Sequence, residues 1–343
     1  MKKRHLILAA AGLIIFITIA ALLMVLNAPP HVSTDLSDAA GSEPVSVVFE
    51  KGQAVTFLAE ELAQKKLIRS SEFFKLYVKV SGKDSKLKAG SYRISRGLSA
   101  VQIARLFVDG KVHTIRITIP EGYTSRQIAD MLEREGITDA REFLEAANSP
   151  ELLKEIGIPS QSAEGFLFPD TYMLSENTPA QEIVRLLSAN FFEKLKKVIG
   201  NTGIDGKDLL DKIILASIVE REYRKAEDAG KIARVFLNRL KIGMPLQSCA
   251  TIVYILTERM GKPHPEKIFF SDLEIKDPYN TYRNRELPPG PISNPGLTSL
   301  NAVFNPPEND YLYFRLSEDG SGSHVFSRSF DEHIQNGISV KGY

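Results

Sequence analysis

The chain has a single cysteine, Cys249, and almost no excess of charge: 43 basic residues stand against 42 acidic ones, a net of +1. One thiol excludes an intrachain disulfide and any CxxC metal site. The balanced charge, with no basic block interleaved with aromatic residues, argues against a nucleic-acid partner. The six histidines, His5, His31, His113, His264, His324 and His333, lack HExxH or any other ligand spacing, so neither a metal nor a cofactor is expected. No GxSxG elbow, P-loop or GxGxxG fingerprint occurs, which removes the serine-hydrolase, NTPase and dinucleotide-binding readings. Gly320 to His324 sets a serine beside a histidine, but neighbours in one hairpin loop do not make a triad. What is present is an ordinary globular composition, 43% hydrophobic and 25% charged, over 343 residues. That length allows two domains and an anchor.

Leu6 to Leu26 carries no charge and follows Lys2, Lys3, Arg4 and His5. At about 1.5 Å per residue such a helix crosses a hydrocarbon core roughly 30 Å thick. A cleaved signal peptide would have a shorter apolar core and a small-residue cleavage site, and no convincing one follows. Residues 1–5 are therefore expected to be a cytoplasmic tail and 6–26 a transmembrane helix, with everything beyond it across the membrane. Residues 27–44, rich in Pro, Ser, Asp and Ala, suit a linker.

Two following stretches echo each other. VVFEKGQAVTFLAEELAQKKLI and ITIPEGYTSRQIADMLEREGIT each run strand, glycine turn, amphipathic helix, aligning Gly52 with Gly122, Leu58 with Ile128, Ala59 with Ala129 and Leu62 with Leu132. A weaker third copy surrounds Gly97 and Ile103. Such units either form a LysM-like glycan-binding module or are plain α/β packing with an internal duplication. One domain is expected over residues 45–160 and a second over 161–343, where the composition shifts from Glu164 to aromatic and proline-containing sequence. In the second, helices are expected over Pro179–Ile199, Lys207–Tyr223 and Gly230–Ile242, and YLYFRL and HVFS form a hairpin across SEDGSGS. The expected fold class is α+β: an N-terminal transmembrane helix, a LysM-like strand–helix repeat domain, then a mixed α+β catalytic domain.

Chemistry concentrates at residues 213–222, IILASIVERE. Leu209, Ile213, Ala216 and Glu220 fall on one helical line, so an acid stands where an aliphatic side chain belongs. A carboxyl group in an apolar stripe resists ionisation and can hold a proton for delivery as a general acid. It can equally be a half-exposed glutamate capping a buried face. Ala216 and Ser217, one turn earlier, are small and would leave room for a ligand. Glu222 lies about 200° around the helix from Glu220, which suits a structural or surface-pairing role.

Beyond Glu220 come Asn238-Arg239-Leu240, Leu246-Gln247, Tyr279-Asn280-Thr281-Tyr282, Leu287-Pro288-Pro289-Gly290-Pro291-Ile292, Asn294-Pro295-Gly296 and Tyr311-Leu312-Tyr313-Phe314. Upstream stands Glu164-Gly165-Phe166-Leu167-Phe168-Pro169-Asp170-Thr171-Tyr172. These motifs in this order, with Ala216-Ser217-Ile218-Val219-Glu220, resemble the YceG-like endolytic murein transglycosylases, the MltG family, over nearly the whole chain. One departure is Cys249, where the family usually carries an acid, and no role is carried onto it.

The resemblance implies a lytic transglycosylase cutting nascent peptidoglycan between MurNAc and GlcNAc and leaving 1,6-anhydro-MurNAc ends. Such an enzyme needs one acid, and Glu220 is the expected catalytic residue. Candidate substrate contacts are Gln247, Asn280, Thr281, Tyr282, Asn294 and His324. Each also has a structural reading: an Asx turn at Asn280, buried amides at Gln247 and Asn294, a strand histidine at His324. The Pro-Pro-Gly-Pro run is expected to wall the cleft, and Phe166, Phe168 and Tyr172 to pack between the domains. The expected partners are peptidoglycan glycan strands, the inner membrane and peptidoglycan synthases. The expected location is the inner membrane, single-pass, with a periplasmic catalytic domain. Two rivals stay open: a muramidase-type hydrolase, and a non-enzymatic peptidoglycan-binding scaffold.

Overall fold

The computed structural model describes residues 16–30, 43–50, 52–200, 203 and 206–338, which divide into two units. The first runs to Ile115 and includes Leu174–Asn177; the second holds Arg116–Met173 and the chain from Thr178 onward. Of the expected membrane span, residues 16–27 form a helix, α1, with Phe16 and Met24 exposed. Residues 6–15, the tail 1–5 and linker residues 31–42 lie outside the described residues. Among the described residues, no helix is long and apolar enough to cross a membrane.

In the first unit the alternation of Val45–Phe49 makes a strand, β1, that buries Val47 and Phe49. Two helices follow, α2 (Val55–Gln64) and α3 (Ser71–Val80), before β2 (Gly90–Ile94) returns antiparallel to β1, with Val45 opposite Ile94 and Phe49 opposite Gly90. Helix α4 (Ala100–Asp109) starts in a capping box between Ser99 and Gln102 and stops at Gly110, which has the left-handed φ of 68° that glycine accepts freely. Leu58, Leu62, Phe74, Ile103 and Phe107 close a single apolar core over the two-stranded sheet.

The second copy of the repeat does not share that core. Its strand β3 (Ile115–Thr118), from Arg116 onward, and its helix α5 (Ser125–Arg134) fall in the second unit. The reason is pairing: β3 bonds to the later strand β4 (Thr171–Leu174), and α5 packs on α6 (Ala140–Ala147), which in turn meets α8 (Ala180–Ile199). Between them α7 (Pro150–Ile156) begins where Ser149 caps and Pro150 occupies the first helical position, which breaks the helical stretch as its sequence suggests.

Helices α8 (Ala180–Ile199), α9 (Gly206–Val219), α10 (Ala226–Lys241), the short α11 (Cys249–Tyr254) and α12 (Leu297–Phe304) build the rest of this core. Helix α12 is its centre, touching α8, α9 and α10 and burying Leu300 and Val303 completely. Strands β5 (Tyr313–Leu316) and β6 (His324–Ser327) pair antiparallel as the expected hairpin, before a last helix, α13 (Phe330–Ile338). Phe166, Phe168 and Tyr172 are buried, Phe166 lying edge-on to Phe191 of α8 at 5.0 Å.

Helix α9 ends at Val219, four residues before the expected Tyr223. The next amides turn back too early for an α-helix, Arg221 N–H to Ile218 O at 3.0 Å and Glu222 N–H to Val219 O at 3.0 Å. This tightened turn sets where Glu220 points.

Candidate active site

Leu209, Ile213 and Ala216 are buried along one line of α9, and Glu220 continues that line at the helix end, half-buried. Three donors converge on its carboxyl group. Ser299 Oγ donates to Oε2 at 2.7 Å, Gly296 N–H to Oε2 at 2.9 Å, and the Tyr223 hydroxyl to Oε1 at 3.2 Å. Gly296 is the residue that precedes α12 and Ser299 lies in its first turn, so the core packing of α12 against α9 delivers both donors. No ion pair reaches Glu220 among the described residues.

Burial raises the Glu220 pKa above the ordinary carboxylate value; the bonds from Ser299, Gly296 and Tyr223 pull it down, and the charge of Glu121 pushes it up again. The balance remains upward. The group can therefore carry a proton, while its donors are already placed for the anion left after the proton departs.

Ala216 and Ser217 do not leave space for a ligand. Both are fully buried, and the room they make is filled by the segment around Ile292. Ile292 N–H donates to Ser217 Oγ at 3.0 Å, and Ser293 Oγ donates to Ser217 O at 3.0 Å. The small residues thus dock the proline-rich segment onto α9, and Pro291 rests so closely on Gly165 that a Cβ there would meet its Cγ at 2.5 Å.

Three expected sugar contacts are corrected by burial. Asn294 is fully buried: its Oδ1 accepts from Gly165 N–H and Leu167 N–H, both at 2.9 Å, and its Nδ2 donates to Tyr123 O at 3.0 Å and Glu164 Oε1 at 2.9 Å. Asn280 is fully buried as well, donating to Leu273 O and Ile275 O and accepting from Tyr282 N–H. Thr281 accepts from Ser248 N–H at 3.1 Å and shares a hydrogen bond with Thr251 Oγ1. With their polar atoms taken by loop backbone, these three shape the site rather than face a substrate.

Gln247, His324 and Tyr223 share a cleft of about 440 Å³, together with Arg221, Arg224 and Arg239. Gln247 is exposed and holds a left-handed φ of 52°. His324 is nearly buried, its Nδ1 3.1 Å from Asp228 Oδ2, which also accepts the His324 backbone N–H at 2.7 Å. Arg239 is committed to structure, donating to Leu312 O at 2.7 Å and Leu246 O at 2.8 Å. Tyr282 is half-buried with its hydroxyl 3.0 Å from the exposed Cys249 Sγ. Glu222 turns away from Glu220 and accepts from Ser248 Oγ and the Ala250 backbone, so it caps α11 rather than pairing at the surface.

Four residues at the site escape sequence reasoning. Gly296, Ser299 and Tyr223 are silent because their donors matter only once α12 meets α9. Glu121 lies 99 positions before Glu220 in a different motif, and only its following glycine, aligned with Gly52, marks the turn. Glu164, in contrast, is a buried carboxyl pushed up to about 8 by desolvation; it accepts Ser125 N–H at 3.0 and 3.1 Å and ties the start of α5 to Asn294.

The family model described as "YceG-like family" matches residues 47–337. A Bacillus subtilis (strain 168) protein named "Endolytic murein transglycosylase" is 32% identical over 311 residues, covering 84% of this chain and 82% of that one. A protein of the same name from Streptococcus pneumoniae serotype 2 is 28% identical over 326 residues, 87% of this chain but 59% of the longer relative. Among solved structures, a putative yceG-like protein from Listeria monocytogenes superposes with a TM-score of 0.53 at 30% identity, over 86% of this chain and 99% of that one.

Proposed function

The chain belongs to the YceG-like family, and from that premise we propose that it is an endolytic peptidoglycan lytic transglycosylase with Glu220 as its acid and base. The observation that carries this reading is the Glu220 carboxyl group, half-buried at the end of an apolar helix and held by three uncharged donors. Protonated Glu220 gives its proton to the glycosidic oxygen, and the bond pair leaves with the GlcNAc unit. The carboxylate then removes the proton of the muramic acid C6 hydroxyl, whose oxygen closes on C1 as a 1,6-anhydro bridge. No water is consumed, and the strand ends there. Ser299, Gly296 and Tyr223 steady the anionic form between the two transfers.

Mass spectrometry of the products from purified sacculi tests this directly. Anhydro ends are expected; free reducing MurNAc would establish the muramidase, and sacculus binding without cleavage the scaffold. Glu220→Gln, which removes both donor and base, is expected to lower cleavage about 10²–10⁴-fold with folding unchanged. Full activity in that variant would remove Glu220 from the mechanism.

The uncharged run Leu6–Leu26 behind Lys2, Lys3 and Arg4 supports anchoring in the inner membrane, with the N-terminus cytoplasmic and the catalytic unit periplasmic, within reach of peptidoglycan synthases. A C-terminal reporter active only outside the cytoplasm checks the orientation. The β1–α2–α3–β2 order of the first unit supports a LysM-like glycan-binding role. Residues 43–115 should then pellet with insoluble peptidoglycan, and a folded fragment left in the supernatant would make the unit a spacer.

A further inference from the structure

Glu121 occupies the tip of the second strand–glycine turn, between Pro120 and Gly122, and its side chain is exposed. Its carboxyl group lies over the backbone of Gly296. A Cβ built on Gly296 would fall 1.9 Å from Glu121 Oε1 and 2.3 Å from its Cδ. Gly296 has an ordinary extended backbone, φ −81° and ψ −178°, so its conformation does not demand glycine, and a side chain there would have to displace the Glu121 carboxyl group. The same Gly296 donates its N–H to Glu220 Oε2 at 2.9 Å. Bond lengths then bring an oxygen of each carboxyl group to within about 8 Å of the other.

Nothing in the structure uses Glu121 for stability. It has no hydrogen bond and no ion pair among the described residues, and the nearby Arg221 guanidinium donates instead to Gly122 O at 2.9 Å. An unpaired acid lies against Gly296, where the missing side chain lets its carboxyl group come close to the backbone, beside the proton-carrying group. As the glycosidic bond breaks, positive charge spreads over C1 and the ring oxygen. While Glu220 is still neutral it supplies no anion to face that charge.

We propose that Glu121 is the second carboxylate of the site, facing the oxocarbenium-like sugar while Glu220 gives and takes the proton. This rests on the glycan-cleaving reading above. Glu121 forms no covalent bond: C1 loses the leaving oxygen, which takes its proton from Glu220, and gains the C6 oxygen, whose proton returns to Glu220. Its charge also adds to those acting on Glu220. The other titratable groups there are Arg221 and Tyr223 from the same turn, while the α12 side contributes only the uncharged Gly296 and Ser299.

The test compares the full chain with Glu121→Gln, Glu121→Asp and Gly296→Ala on purified glycan strands, measuring kcat, KM and the pH–rate profile, with circular dichroism to confirm folding. The expected result for Glu121→Gln is a fall in kcat on the order of 10²-fold at every pH, with KM nearly unchanged. Glu121→Asp should recover part of it, and Gly296→Ala, which displaces the carboxyl group, should lose kcat. Unchanged kcat in Glu121→Gln overturns the proposal. So does a loss confined to high pH, with a normal low-pH plateau, because Glu121 would then only help Glu220 keep its proton. Wild-type activity in Glu220→Gln, or products without anhydro ends, would instead overturn the reading on which the proposal stands, whatever Glu121 does.

Discussion

The two main copies of the strand–glycine–helix repeat share a pattern and diverge in use. Leu58, Ala59 and Leu62 of the first copy and Ile128, Ala129 and Leu132 of the second are all fully buried, and Gly52 and Gly122 adopt similar positive φ, 84° and 76°. Yet a Cβ on Gly52 would meet nothing within 4 Å, whereas one on Gly122 would touch Arg221 Cδ at 3.4 Å and Glu220 Cγ at 3.5 Å. Helix α2 begins at Ala54 with no side-chain cap; α5 begins in a Thr124/Gln127 capping box, with Ser125 N–H held by Glu164. The second turn is also stitched to the Asn294 segment, Gly122 N–H to Asn294 O and Asn294 N–H to Tyr123 O, both at 2.9 Å. A local motif therefore sets the shape of a turn, and its neighbours decide whether that turn serves chemistry.

The largest effect expected is at Asn294. Asn294→Ala strands Gly165 N–H and Leu167 N–H in the interior and should cost about 2–5 kcal/mol of stability, seen in chemical denaturation. Activity should fall with the folded fraction. A rise in KM at unchanged stability would return Asn294 to the sugar contacts.

A smaller effect is written in pH. Burial lifts Glu164 from its ordinary 4.5 to about 8, so between those values the folded chain binds a proton that the unfolded chain has released. Its contribution is complete below pH 4.5 and is lost as pH rises through 8. Denaturation curves across that window should show wild-type stability declining with pH, and Glu164→Gln should flatten the slope; an identical slope would show that Glu164 is ionised throughout.

Valine at each turn glycine sharpens the contrast. Both substitutions place a branched residue at positive φ, a strain of about 1–2 kcal/mol. Gly52→Val should change only melting temperature, while Gly122→Val, pressing on Glu220 and Arg221, should also reduce kcat about tenfold. Equal activity in the two variants would break the comparison.

The helix caps give the smallest shift. Thr124→Ala should lose about 1 kcal/mol by removing its bond to Gln127 N–H, and Ala54→Ser should gain about 0.5–1 kcal/mol by adding an acceptor that α2 lacks. Thermal melts of the two variants check both signs.

Helix existence was legible because apolar period and caps are local: α8 and α10 lie within a few residues of their expected limits, and the 149/150 break follows from Ser149 and Pro150. Glu220 was legible for the same reason, as an acid interrupting the line Leu209, Ile213, Ala216. Asn280, Thr281 and Asn294 were misread because an amide or hydroxyl offers the same bonds to a sugar as to a loop carbonyl. Only burial distinguishes the two.

By itself the sequence determined the repeated strand–glycine–helix units, the hairpin of β5 and β6, and the carboxyl group at the end of α9, since each depends on neighbours a few positions apart. The tertiary structure alone decided that the second repeat leaves the first unit, that α9 stops at Val219, and that Glu220 meets Gly296 and Ser299 while Glu121 lies over Gly296. Those contacts join segments about 75 to 175 residues apart, held by the packing of α12 on α9 and by the hydrogen bonds of Asn294. No short-range pattern specifies such distances, because the free energy that fixes them comes from burying surfaces that exist only after the helices have formed.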